Sequence, residues 1–289
     1  MPKKASATKA SKGKVTSTGR RAPKRALCVG INDYPYDGND LNGCVNDAHA
    51  WAEMLTTNFG FSGGDVRVIT DAEATKKNVV AAVKTLLTGA QPGDVLVWHN
   101  SSHGSYVADT SGDEETYDEC LCPYDIADNH ILDDEIRELV TSIKPGVRLS
   151  VVFDNCHSGS GTRAIIGEGM GMQPPDRRRR RFLSPALRGL PILQNPWKAK
   201  PRGREKYPES KMKEILLSGC TDKEYSYDAF INGVYHGAMT YYALRTIEMA
   251  KYKLTYTQLH EGINSLIADY PQHPQLEGTK ENKKRQIFA

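Results

Sequence analysis

Three short apolar runs set the fold class of this 289-residue chain: Arg25–Ile31 (RALCVGI), Asp94–His99 (DVLVWH) and Arg148–Asp154 (RLSVVFD). They are too short for buried helices and rich in branched aliphatic residues, so they read as strands covered on both faces. Val66–Thr70 and Glu214–Ser218 read as further strands. Helical patterns lie between them. Asn46–Phe59 spaces Ala48, Trp51, Ala52 and Leu55 along one face, and Thr75–Leu87 does the same with Val79, Val80, Val83, Leu86 and Leu87. Asp133–Ser142, Gly237–Ala250 and Thr257–Tyr270 read as three more helices. Strands alternating with helices predict an α/β fold, a mostly parallel sheet flanked by helices on both faces.

No apolar run reaches the roughly 18–20 residues needed to cross a bilayer, which excludes a membrane-spanning helix, and with no secretory-signal pattern a reducing, cytoplasmic environment is the expectation. The net charge of +3 hides an uneven distribution. Residues 1–25 hold nine of the 38 basic residues and none of the 35 acidic ones, so the remainder carries 29 basic against 35 acidic. That tail, almost without large apolar side chains, is expected to be disordered. The acidic body disfavours nucleic acid as a partner. Periodicity fails again over 162–211, which contains seven of the 15 prolines and the run Arg177–Arg181. This stretch is expected to be an exposed linker between a larger region, 26–161, and a smaller one, 212–289.

Reactive groups in such a sheet gather at the carboxyl ends of the strands. One strand runs into Asn100-Ser101-Ser102-His103-Gly104 and another into Asn155-Cys156-His157-Ser158-Gly159. An imidazole and a thiol, 53 residues apart in sequence, are thus expected close together. A thiolate nucleophile and an imidazole that protonates the leaving amine suffice for Cys–His catalysis. The glycines allow close backbone approach, and the N–H of Cys156 with its neighbours could hold an oxyanion. The six cysteines include no Cys-x-x-Cys pair, which argues against a zinc ribbon or a thioredoxin-like site, and the other five read as small buried hydrophobes.

Ser102-His103-Gly104 and Asp154-Asn155-Cys156-His157-Ser158-Gly159, with their spacing, resemble the caspase-like cysteine peptidases, and within them the metacaspases. Leu41–Asp47, Leu217–Cys220, Gly237–Thr240 and Gln272–Leu276 match as well, so the resemblance covers about residues 25–277. It implies a caspase-like sheet, a dyad of Cys156 and His103 with His157 as the rival base, and a thioester intermediate. It also implies a pocket for the residue before the cut, lined by Asp47 and Asp154 with Cys44 and Ser101 beside them. Two converging carboxylates favour a cation, so cleavage after Arg or Lys and not after Asp is expected. The alternative is a catalytically inactive caspase-like adaptor, against which the intact Cys and His speak.

The loop Asp109–Asp125 is dense in acids, and Asp118, Asp133 and Asp134 align with the family's calcium-binding acids. Arg163 stands where a further family acid is expected, which sets Ca²⁺ as an activator in question. A peptidase preferring basic residues that carries Arg177, Arg178, Arg179, Arg180 and Arg181 in a Pro-rich stretch is expected to cut itself there. By family analogy the chain is expected to be a monomer acting on basic proteins or peptides.

Overall fold

Period-two alternation divides the strand side chains between two cores. In the computed structural model, residues 22–108, 117–156, 178–189, 209–221 and 224–289 are described. In chain order the first elements are β1 (Lys24–Gly30), α1 (Cys44–Asn58), β2 (Val66–Thr70), α2 (Lys76–Leu87), β3 (Val95–Ser101), β4 (Gly104–Ala108), β5 (Tyr117–Leu121) and β6 (Ile131–Leu132). Then come α3 (Asp133–Thr141), β7 (Arg148–Asp154), β8 (Arg179–Arg180), β9 (Ile215–Ser218), β10 (Tyr227–Ile231) and β11 (Val234–Gly237). The chain finishes with α4 (Ala238–Met249), α5 (Tyr256–Leu266), β12 (Gln275–Glu277) and α6 (Lys280–Lys283).

The main sheet has the order β12-β9-β7-β3-β1-β2, parallel except for β12. Leu27, Val29, Leu96, Trp98, Leu149, Val151 and Phe153 point into one core, closed by α2 and α3. Ala26, Cys28, Val95, Val97 and Val152 point into the other, closed by α1, α4 and α5. Four strands precede residue 162 and two follow residue 211, so both regions of the chain build one sheet. The expected α/β caspase-like architecture is present. Among the described residues no helix is long and apolar enough to cross a membrane.

Two small antiparallel sheets, β4-β5-β6 and β11-β10-β8, stand beside the main one. The β10–β11 hairpin turns at Asn232-Gly233, where φ is +51° and +87°. Both central residues at positive φ make the tight turn that suits the strand twist.

Within the stretch expected to be an exposed linker, residues 178–189 depart from that expectation. Residues 179–180 add a strand to β10, Arg181 is fully buried, and Leu183 belongs to the α2–α3 core. Extended backbone gains ladder hydrogen bonds there, and a leucine leaves water. Arg177, His157 and Arg163 lie outside the described residues.

Candidate active site

Parallel pairing of β3 and β7 in register, Ser101 opposite Asp154, delivers His103 and Cys156 to the same edge of the sheet. Gly104 lies so close to the Cys156 carbonyl that any side chain there would collide with it. His103 is buried, and its Nε2 lies 2.7 Å from the carbonyl oxygen of Asn39. A carbonyl only accepts, so Nε2 carries the proton and Nδ1 presents its lone pair. Asn39 is held by a turn in which its N–H donates to Tyr36, with Gly38 at φ +78°. Tyr34 supports the same ring from the side, at 4.8 Å between centroids.

Burial lowers the His103 pKa from 6.5 to about 4, against the opposing pull of the Asn39 carbonyl and Asp228. The imidazole is therefore neutral at neutral pH, the form able to accept a proton. The Cys156 thiol is fully buried and sits against the peptide of Ser226, whose N–H donates to the sulfur at 2.9 Å. Cys220 lies against it; that contact and burial hold the Cys220 thiol well above the ordinary range. The imidazole and the thiol are not hydrogen-bonded to each other in this arrangement, and the cleft beside them is filled.

What fills it is the chain itself. The carbonyl oxygen of Arg181 accepts from the N–H of Gly104 at 2.9 Å and from the N–H of Cys156 at 3.3 Å. The residue before it pairs with Tyr227, and the Arg181 N–H donates to Ser226 at 2.9 Å. Its guanidinium enters a closed pocket, with Nη2 2.8 Å from Asp47 and 3.0 Å from Asp228 and Nη1 3.5 Å from Asp154. Nη1 also donates to the Asp154 carbonyl and to the Ser101 hydroxyl. All three carboxylates are fully buried.

Buried charges persist only when paired and hydrogen-bonded. Asp47 accepts from Ser101, from the N–H of Gly237 and from His236. Asp154 accepts from Ser226 and from the N–H of Thr240 at 2.8 Å, and Asp228 from the N–H groups of Asn42 and Gly43. Gly237 is required here, since a side chain would run into Asp154 and Arg181. Burial still holds the Asp47 carboxyl above its ordinary pKa, although Arg181 pulls it down. Cys44, at the start of α1, is buried, and burial raises its thiol while Arg181 pulls it down.

Asp47, Asp154, Cys44 and Ser101 thus gather around one cation. Asp228 and Ser226 do not appear in the reading of the sequence. They lie on or beside β10, a five-residue strand (YDAFI) whose mixed side chains show no clear alternation. The other arginines of the run differ from Arg181: Arg178 lies over Tyr270, Arg180 over Tyr225, and Arg179 donates to the Asp40 carbonyl.

Asp118 lies on β5, buried, and Asp133 and Asp134 open α3, where burial and then Asp134 raise the Asp133 carboxyl. Yet among the described residues no group of three His, Cys, Asp or Glu is placed to hold a metal ion.

Stability should report the buried imidazoles. His99, fully buried against Trp51, is lowered to about 3 by burial and then by Arg181. A folded pKa below the unfolded 6.5 means that the unfolded chain binds more protons, so stability is full above about pH 6.5 and falls as pH drops towards 4. The gap at His103, from 6.5 to about 4, corresponds to about 3 kcal/mol. Thermal melts are expected to show a Tm that declines from pH 7 to pH 5, less steeply in His99→Leu. Equal slopes would contradict this assignment.

Residues 24–163 match the family model described as metacaspase, peptidase C14 domain. The chain is 35% identical to Metacaspase-1A of Aspergillus fumigatus, over 90% of this chain and 68% of that protein. It is 34% identical to Metacaspase-1 of Emericella nidulans, over 90% of this chain and 70% of that one. Among solved structures, protein GSU0716 of Geobacter sulfurreducens superposes with a TM-score of 0.68 at 25% identity, covering 92% of this chain and 98% of that one. A parallel sheet presenting a cysteine and a histidine at one edge, and relatives similar over nine-tenths of the chain, lead to one conclusion: the chain belongs to the metacaspases, the C14 family of cysteine peptidases.

Proposed function

We propose that Cys156 and His103 form the catalytic dyad of an endopeptidase that cuts after Arg or Lys, and that its first substrate is its own Arg181–Phe182 bond. The observation that carries this reading is the pose of Arg181: side chain among three carboxylates, carbonyl oxygen on two backbone N–H groups beside the thiol. The Cys156 thiolate adds to the carbonyl carbon, and the N–H groups of Gly104 and Cys156 take the developing oxyanion. His103, protonated in taking the thiol proton, gives it to the departing amine, leaving a thioester. Water, deprotonated by His103, then releases the acid. Asn39 holds the ring with Nδ1 free for both transfers.

Matched reporter peptides differing only in Arg or Asp before the cut test the pocket. Hydrolysis after Arg is expected to exceed that after Asp by on the order of 10³-fold, because an acid would add a fourth buried negative charge. Comparable turnover would end this reading of the pocket. Calcium activation rests on the family likeness alone, and activity unchanged by chelator and by added Ca²⁺ would dismiss it. The short antiparallel edge strand β12 favours a monomer, since it leaves little ladder for a second copy.

A further inference from the structure

The contacts of the self-bound segment do not stop at the bond to be cut. Phe182 is half-buried, its ring stacked on Tyr106 at 6.1 Å and 29°, and set edge-on to Tyr225 at 5.8 Å and 63°. Leu183 is fully buried in the α2–α3 core. Its N–H donates to the Gly104 carbonyl at 2.9 Å, and its carbonyl accepts from the Ser105 hydroxyl at 2.8 Å. Beyond it the chain makes a single turn, Pro185–Arg188, and reaches the surface, with Ala186 and Leu187 exposed. Phe182 and Leu183 thus have defined surroundings, burial continues to Pro185, and the chain is exposed from Ala186.

We propose that this peptidase also reads the leaving side of its substrates, selecting an aromatic residue directly after the basic one and a large aliphatic residue next. The proposal rests on the reading that Arg181–Phe182 lies in the catalytic cleft. The backbone bonds to Gly104 and Ser105 are available to any sequence, so they set register without selecting. Selection falls to the side chains: a slot between two tyrosine rings rewards a flat apolar group, and an apolar well rewards a branched aliphatic one. A carboxylate in either place would lose water without gaining a partner. Tyr225 is the specificity residue of this side, since its ring also carries the Arg180 guanidinium at 4.6 Å and so spans the bond to be cut.

The test uses self-processed wild-type enzyme and internally quenched peptides that share one half ending in Arg and differ after it: Phe-Leu, Ala-Leu, Phe-Ala and Asp-Asp. An Arg reporter with a fluorophore amide is run beside them. The Phe-Leu peptide is expected to show a kcat/KM about tenfold or more above Ala-Leu and Phe-Ala, with Asp-Asp lowest, and the Phe-Leu to Ala-Leu ratio should fall towards one in Tyr225→Ala. A flat profile with good turnover of the reporter would overturn the proposal and leave the basic-residue reading standing. Turnover of the reporter with none of the extended peptides cut would also overturn it, because the segment from Phe182 would then keep this side closed. Failure of every Arg substrate would instead remove the proposed function on which it rests.

Discussion

Cys156→Ala is expected to abolish hydrolysis of an Arg reporter, a loss on the order of 10⁴-fold or more, and to leave the chain uncut at Arg181. The variant keeps the carboxylate pocket and both N–H groups facing the Arg181 carbonyl, so binding survives and only the nucleophile is removed. Water would have to attack unaided, in a cleft filled by the chain itself. The Ser226 N–H that now faces the sulfur would be left unsatisfied, at a cost of about 1–3 kcal/mol. A thermal melt therefore accompanies the assay: a folded protein with no turnover supports the assignment, and a folded protein with residual turnover near wild type contradicts it. His103→Ala is expected to be almost as damaging, since the imidazole serves both halves of the reaction.

The second large effect concerns stability. Arg181→Gln, made in the Cys156→Ala background so that no cleavage intervenes, leaves Asp47, Asp154 and Asp228 buried without their cation. Removing one partner of a buried ionic cluster costs about 3–5 kcal/mol, which for a chain of this size lowers Tm by on the order of 10 °C. Arg181→Lys, which keeps the charge but not the planar fork, should lose less. The deficit has a sign in pH. Asp47 already has a folded pKa above its unfolded value, and losing Arg181 raises it further. Such a group binds more protons folded than unfolded, so its penalty grows as pH rises through the folded pKa and fades below it. Melts of Arg181→Gln should therefore lie closer to the parent at pH 5 than at pH 7.5. An unchanged Tm at neutral pH would mean that the guanidinium does not balance the carboxylates.

Much of this architecture is legible in the sequence because two periodicities suffice for it. Arg148–Asp154 is a strand over its full expected length, and Thr75–Leu87 loses only Thr75, which caps α2 by accepting from the Asn78 N–H. His103 and Cys156 are legible because strand ends are where such a sheet gathers reactive groups. The two small sheets are not. β4 (GSYVA) and β5 (YDECL) mix apolar and polar residues without clear alternation, and the Asn232-Gly233 turn marks a hairpin that local patterning of its strands does not announce. Asp228 stays hidden for the same reason, its role depending on a hairpin that brings it across to Gly43. Arg181 shows a different limit. Five adjacent arginines look alike as composition, and only pairing with β10 decides which side chain turns inward.

The most direct test of the account is the identity of the new amino terminus. Purified wild type and Cys156→Ala are incubated side by side, and the fragments are read by intact mass and amino-terminal sequencing. A wild-type fragment beginning at Phe182, absent from the variant, is the predicted result. A cut confined to other bonds, or the same cut in Cys156→Ala, would contradict it.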